Sequence, residues 1–170
     1  NFRLFINKQN IGLVKNRNKG ISLAKGEILI FLDDDTEVDP NWINGLEKVF
    51  LSDDKIGAAQ CKIYDFHKRN TIQQVGMKLV PFTGFGITIG RGERNGKKYY
   101  QMNEIISLGA ALAVRKSVAK RIDGFDDRLF HYTDDLDFSW RVWISGYKVV
   151  LAPDAVIYHY LKIQLYFLWL

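Results

Sequence analysis

Residues 27–35 read EILIFLDDD, and this stretch decides the fold. Residues 27–32 form a near-continuous apolar run of strand length, the kind that sits buried on both faces of a parallel sheet, and it ends abruptly in three aspartates. Upstream, residues 13–24 place Leu13, Ile21 and Ala24 at helical spacing, and Gly26 stops the helix. Downstream, Asp39 and Pro40 pair an N-cap residue with a proline at the first helical position, and Trp42, Leu46, Val49 and Phe50 supply the apolar face of a second helix. With residues 2–6 read as a short strand, the chain opens β-α-β-α.

Further from the aspartates the pattern is less regular. Residues 56–64 predict a strand, Asn95-Gly96 a hairpin turn between short strand-like runs, and residues 105–114 another strand. A helix is expected over residues 116–121, ending before Gly124, and a longer one from near Asp134 to Gly146, with Leu136, Trp140 and Trp143 at buried spacing. Residues 147–151 and 155–158 read as final strands. This alternation predicts an α/β fold with a mostly parallel central sheet flanked by helices, and in such sheets ligands bind beyond the carboxyl ends of the strands.

The chain has 170 residues, 47% of them hydrophobic, which is enough for one sizeable core and too little for two ordinary domains. No repeat, linker-like stretch or low-complexity segment interrupts it. Cys61 is the single cysteine and no Asn-x-Ser/Thr sequon occurs, which favours a reducing compartment, with the cytosol as the natural setting. The net charge of +5 is spread along the chain, at Lys15, Arg17, Lys19, Lys25, Arg91, Arg94, Lys97 and Lys98. Spread charge reads first as solvated surface and second as attraction to anionic ligands or to the cytoplasmic face of a membrane. No basic stripe interleaved with aromatics appears, so nucleic acid is not an expected partner. The chain opens at Asn1 directly on a strand-like run, so residues upstream are expected. Residues 161–170 (LKIQLYFLWL) are apolar but span about half of what a bilayer-crossing helix needs. They read as a core helix, an interfacial helix or the start of a membrane segment.

The chemistry concentrates in two acidic clusters. Asp33, Asp34 and Asp35 repel one another directly after a buried strand, so packing does not explain them; hard oxygen ligands in this number suit Mg²⁺ or Mn²⁺ carrying a diphosphate. The alternative is a solvated loop preceding the Asp39 cap. An EF-hand beginning at Asp33 would need glycine where Val38 stands and glutamate where Asn44 stands, and a D-x-D-x-T phosphatase motif would need threonine where Glu37 stands. The second cluster, Asp134, Asp135 and Asp137, opens a predicted helix. Carboxylates there suit the helix dipole, but three within four residues exceed what capping needs. A metal-diphosphate site beside a second carboxylate is what transfer to a hydroxyl requires: one group holds the leaving diphosphate and the other takes the acceptor's proton. Of the three histidines, His67 lies in a polar loop, His131 precedes the second cluster, and His159 closes the run AVIYHY, where a lone histidine is more often structural than a ligand.

Taken with these residues, the chain resembles glycosyltransferase family 2, the inverting family with the GT-A fold. The stretch NIGLVKNRNKGISLAKGEILIFLDDDTEVDPNWINGL is similar to the family's Asn-x-Gly, Arg-Asn-x-Gly, hydrophobic strand, D-x-D motif and Pro-Xaa-Trp helix start. The later stretch GAALAVRKSVAKRIDGFDDRLFHYTDDLDFSWRVWISGYKVVLAPDAVIYH is similar to its acceptor-side half, with Gly-Phe-Asp, an acidic E/D-D-x-D motif, an arginine in the next helix, Gly-Tyr and a closing histidine. The resemblance implies a nucleotide-diphosphate-sugar donor, Mg²⁺ or Mn²⁺ as cofactor, and a glycan, lipid-linked or protein acceptor. It makes Asp35 and His159 the metal residues. Arg17, Asp33 and Asp34 become the donor-binding residues, Asp135 the catalytic base, and Asp134, Asp137, Arg141 and Gly109 the acceptor side. It further implies a catalytic domain over residues 1–160 whose first strands lie upstream, with residues 161–170 as an apolar tail. Asp134 stands where many members have glutamate. Two other readings stay open: a non-catalytic module that keeps the fold, and a nucleotidyltransferase using an acidic pair with Mg²⁺, which fits the acceptor-side block badly.

Overall fold

The computed structural model describes residues 2–80, 82–83, 86–101, 103–106, 109–129 and 133–160. The expectations for residues 161–170 and for His131 lie outside them. In chain order the elements are α1 (Leu13–Leu23), β1 (Ile28–Leu32), β2 (Thr36–Val38), α2 (Trp42–Ser52), β3 (Ile56–Asp65), β4 (Ile72–Gln74), β5 (Met77–Leu79) and β6 (Gly86–Thr88). Then follow β7 (Ala111–Arg115), α3 (Lys116–Arg121), α4 (Asp134–Ile144) and β8 (Lys148–His159).

The sheet runs β1-β7-β3-β8-β2, with β4 added against β3 and β5-β6 forming a separate ribbon. Of the described pairs only β3 with β8 is parallel; β1-β7, β7-β3, β8-β2 and β3-β4 are antiparallel. The α/β architecture is as expected, but the sheet is mixed rather than mostly parallel. β7 follows a loop instead of a crossover helix, so it enters between β1 and β3 running against both. The consequence for function survives: β1, β3 and β8 share a direction, so Asp33, Asp65 and His159 all lie along one edge of the sheet.

Burial explains the layering. β3 occupies the centre, and its run IGAAQCKIY is buried throughout. On one face, α2 sets Leu46, Val49 and Phe50 against Ile56, Cys61, Ile63 and Ile157. On the other, Val14 and Ile21 of α1, Val118 and Ala119 of α3, and Phe138 and Val142 of α4 meet Leu29, Leu112 and Leu151. Each face is thus roofed by helices whose apolar stripes need covering.

Several sequence expectations are corrected. Residues 2–6 form no strand; Phe2, Leu4, Phe5 and Ile6 are exposed, and Arg3 bonds the Leu23 carbonyl of α1. An apolar run becomes a strand only where it finds a sheet edge, and this one lies across a helix instead. β1 is an edge strand in which only Leu29 is fully buried. Asn95-Gly96 does not turn a hairpin but leads into a 3-10 turn over Lys97–Tyr99, because Arg94 is already bridged to Thr71. Among the described residues, the strand expected over residues 105–114 is confined to β7. The last two expected strands are one, β8, with a register shift against β3 between Cys61 and Lys62. α4 buries Asp134, Phe138, Ser139 and Val142, leaving Trp140 and Trp143 exposed.

Candidate metal and transfer site

The aspartate triplet forms a tight turn between β1 and β2, not an extended run. The Thr36 hydroxyl donates to the Asp33 carbonyl at 2.7 Å, and Asp33 N–H donates to the Ala110 carbonyl at 3.2 Å. The turn leaves Asp33 and Asp35 half-buried and Asp34 exposed beside them. β2 pairs with β8 so that Thr36 faces His159, and Tyr160 N–H closes the turn on the Asp35 carbonyl at 2.8 Å. Strand pairing therefore delivers His159 to the aspartates across more than a hundred residues of chain.

The result is a three-residue cluster, Asp33, Asp35 and His159, with one ligand atom from each lying within 4.8 Å of the others. His159 Nε2 is 3.1 Å from Asp35 Oδ1. On the other side of the ring, Nδ1 meets the Gln73 amide, at 3.1 Å from Oε1 and 2.8 Å from Nε2. With Nδ1–H donated to Gln73 Oε1, Nε2 carries its lone pair toward the aspartates, the tautomer a metal ligand needs. Two carboxylates and an imidazole suit Mn²⁺ or Mg²⁺, and the donor set fits such an ion. Burial raises the Asp33 carboxyl above its ordinary range, against the lowering pull of the Arg17 and His159 charges.

Arg17, a largely buried side chain of α1, joins this cluster to the second one. Its Nη1 donates to Asp134 Oδ2 at 2.6 Å and its Nη2 reaches Asp33 Oδ1 at 3.4 Å, while the guanidinium rests over the Phe125 ring. Asn18 fixes that geometry by donating to the Phe125 carbonyl and accepting from Phe125 N–H, at 2.7 and 2.8 Å. Asp134, Asp135 and Asp137 occupy the first turn of α4, entered through Thr133 at φ 66. Asp135 is half-buried and accepts Leu136 N–H at 2.8 Å. Its carboxyl is pushed up chiefly by burial and also by Asp134, against the pull of the Leu136 N–H and Arg17. A carboxylate so placed, linked through Arg17 to the candidate metal cluster and raised above the usual range, is suited to accept a proton.

Asp137, in the same first turn, pairs with Arg141 one turn further on at 2.6 Å. Arg141 Nη1 also bonds the Ile122 and Gly124 carbonyls at 2.6 and 2.7 Å, so the pair holds α4 to the loop after α3. Gly109 lies beside Asp33 through Ala110, and its N–H donates to Gln60 Oε1 at 2.9 Å. A Cβ there would come within 2.9 Å of the Gln74 amide. The geometry therefore gathers Arg17, Asp33, Asp35, Asp134, Asp135 and His159 along one edge, with Gly109 adjoining. Asp137 and Arg141 lie on the far side of the same helix turn. Sequence reasoning missed Gln73, Asn18 and Gln60. Gln73 and Gln60 are single amides in runs without a motif, placed only by the pairing of β3, β4 and β8, whereas Asn18 lies inside the Arg-Asn-x-Gly stretch and is placed by α1.

Comparison with known proteins bears on the family and the fold. The profile of Glycosyl transferase family group 2 matches residues 28–166. The O-antigen biosynthesis protein RfbC of Myxococcus xanthus is 28% identical over 145 residues, 81% of this chain and 11% of that protein. The crystal structure of GalNAc-T7 with UDP, GalNAc and Mn²⁺ superposes with a TM-score of 0.76 at 18% identity, covering 95% of this chain and 32% of that one. The mannosyltransferase PcManGT of Pyrobaculum calidifontis, in complex with GDP-Man and Mn²⁺, gives a TM-score of 0.60 at 18% identity, covering 94% of this chain and 39% of that one. These likenesses identify the fold as GT-A, and the chain spans well under half the length of each of these proteins. The profile match carries the remaining step: the chain belongs to Glycosyl transferase family group 2.

Proposed function

We propose that this chain forms the catalytic part, over residues 1–160, of a metal-dependent glycosyltransferase that moves a sugar from a nucleotide-diphosphate donor to a hydroxyl acceptor with inversion. The observation that carries the proposal is the Arg17 bridge, which holds an Asp33–Asp35–His159 cluster beside the Asp134–Asp135 pair. One cluster suits a diphosphate and the other suits a proton transfer.

Asp35 and His159 would hold the divalent ion, with Asp33, Asp34 and Arg17 on the donor side. A bound Mg²⁺ or Mn²⁺ supplies charge to balance the diphosphate that departs. Asp135 accepts the proton of the acceptor hydroxyl, whose oxygen attacks the anomeric carbon opposite the leaving group. The new bond joins that carbon to the acceptor oxygen, and the old carbon–oxygen bond leaves its electron pair on the diphosphate. In-line attack inverts the configuration. Asp134, Asp137, Arg141 and Gly109 line the acceptor side, Asp134 under the hold of Arg17 and Asp137 under that of Arg141. The names of the solved relatives support a uridine or guanosine diphosphate sugar and Mn²⁺. The acceptor is a glycan, a lipid-linked glycan or a protein. The proposed setting is the cytoplasm, with the basic surface available to the cytoplasmic face of a membrane; no helix among the described residues is long and apolar enough to cross one.

Calorimetric titration of UDP, GDP and dTDP, with and without Mn²⁺, tests this reading on the wild type, Asp35→Ala and Asp135→Asn. Binding should require the metal and Asp35 and should survive Asp135→Asn, which should abolish transfer. Absence of nucleotide binding by the wild type would remove the reading in favour of a non-catalytic module.

A further inference from the structure

Beyond the transfer site, on the β4 side of His159, lies a cleft of about 570 Å³ lined by Lys68, Arg69, Asn70, Thr71, Arg94 and Asn95. Three of these six side chains are cationic, the other three are neutral hydrogen-bonding groups, and none is a carboxylate. The cleft is built by local structure. Asp65 Oδ1 accepts the N–H groups of His67 and Lys68 at 2.8 Å each, which sets the turn after β3. Thr71 is bridged to Arg94, and Ile72 N–H bonds the Glu93 carbonyl at 2.8 Å, which sets the opposite wall. Of the neighbouring carboxylates, Glu37 pairs with Arg69 of the cleft wall, and Glu93 is committed to Lys98 at 2.6 Å. Lys68 and Arg94 have no ion-pair partner among the described residues.

Behind Asn95 lies a further cation. Lys62, in the centre of β3, is 1% exposed. Its ammonium sits 4.3 Å from the centroid of the Tyr100 ring and 3.4 Å from Asn95 Oδ1, and Asn95 donates in turn to the Tyr100 hydroxyl at 2.8 Å. The carboxylate whose charge it feels, Asp154, is bonded to Lys48 at 2.9 Å. A buried lysine without a carboxylate partner is costly unless an anion completes its surroundings. An aromatic face and an amide oxygen compensate only in part. A buried ammonium held only by an amide and an aromatic face, next to a cleft whose Lys68 and Arg94 have no ion-pair partner among the described residues, is the arrangement of an anion site.

We infer that this cleft binds a phosphate group, with Lys68 and Arg94 as its direct cationic contacts and Lys62 acting through Asn95. The cleft is tied to the transfer site by the backbone, since Phe66 N–H bonds the His159 carbonyl at 3.1 Å and Thr36 of β2 faces His159. On the glycosyl-transfer reading, on which this last step rests, the phosphate belongs to the acceptor, and the chain glycosylates a phosphate-bearing substrate.

The test is calorimetric titration of inorganic phosphate into the protein in EDTA, so that the metal cluster contributes nothing, followed by flotation with phosphatidylglycerol or phosphatidylcholine vesicles. The wild type should bind phosphate with an affinity that falls as salt rises, and Lys68→Gln and Arg94→Gln, at exposed positions, should each weaken it about tenfold. Lys62→Met should weaken it as well, and Asp35→Ala should leave it unchanged. Flotation with phosphatidylglycerol alone, lost in the same variants, would identify a lipid headgroup as the source; phosphate binding without flotation would identify a soluble phosphate ester. No phosphate binding, or binding indifferent to Lys68 and Arg94, would overturn the inference. Phosphate binding in a protein that binds no nucleotide with Mn²⁺ would leave the anion site standing and remove its assignment to an acceptor.

Discussion

Arg17 and Asp134 lie 117 residues apart in the chain and meet at 2.6 Å, with both side chains largely withdrawn from water. Removing one partner of such a pair leaves the other as an unpaired charge, and that penalty exceeds the net worth of the bond. Arg17→Met is therefore expected to cost about 2–3 kcal/mol in urea denaturation. Arg17→Lys, which keeps the charge but loses the fork that reaches Asp33 as well, should recover part of the stability and little of the nucleotide binding.

Asp135 gives a pH dependence whose sign follows from its environment. Its carboxyl is raised in the folded protein, chiefly by burial. As the proposed base it must be ionised, so kcat/KM should rise with pH on a limb displaced above the ordinary carboxylate range. Because Arg17 lowers this group's pKa, Arg17→Met should move the limb further up. Stability runs the other way. With the folded pKa above the unfolded one, the penalty is absent below the unfolded value and complete once pH has passed the folded value. Asp135→Asn should therefore leave stability unchanged at pH 3 and raise it at pH 7, as thermal melts at the two pH values would show.

Gln73 touches the His159 ring on the side away from the aspartates. Amides in this position fix the tautomer and orientation of a ligating imidazole, and losing one lowers metal affinity about 10- to 100-fold. Gln73→Leu is expected to weaken Mn²⁺ binding on that scale, read by titration, while leaving the melting temperature in EDTA nearly unchanged. His159→Ala should weaken the metal further. Equal Mn²⁺ affinities in Gln73→Leu and wild type would remove His159 from the ligand set.

The site was legible to the extent that its residues sit in short contiguous motifs. Asp33 to Asp35 follow an apolar strand, and Asp134 to Asp137 open a helix, so each cluster shows in a window of a few residues. Their convergence does not, because it depends on β2 pairing with β8 and on Arg17 crossing from α1. Strand direction was hidden for the same reason. β1, β3 and β8 read alike whether β7 runs with them or against them, and only the connection ahead of β7 decides. Residues 2–6 show the limit of pattern alone, since their strand-like run ends up exposed across α1.

Gly45 reverses what helix propensity predicts. Alanine is better than glycine in a helix interior by about 1 kcal/mol. Here, however, α2 crosses β8 so closely that a Cβ at Gly45 would come within 2.5 Å of both Ala155 N and Asp154 C. Backbone cannot step aside as a side-chain tip can, so helix and strand must separate and open the contacts of Leu46 and Val49. Gly45→Ala should destabilise the protein by about 2 kcal/mol or more in chemical denaturation, despite the favourable propensity.

α4 offers the sharpest contrast between pattern and packing. By spacing, Leu136, Trp140 and Trp143 could have been its buried stripe, but the acidic first turn fixes the helix rotation. Asp134 must face Arg17, and that puts Phe138, stacked on Phe125 at 4.2 Å, and Val142 into the core. Trp143 is left 57% exposed, its ring tilted against that of Trp140 with centroids 5.5 Å apart. Phe138→Ala should therefore cost about 3–5 kcal/mol, and Trp143→Ala, the larger truncation, within about 0.5 kcal/mol of nothing. Denaturation of the two variants side by side measures the difference; a loss at Trp143 as large as at Phe138 would mean that α4 is rotated about its axis and that Asp134 does not face Arg17.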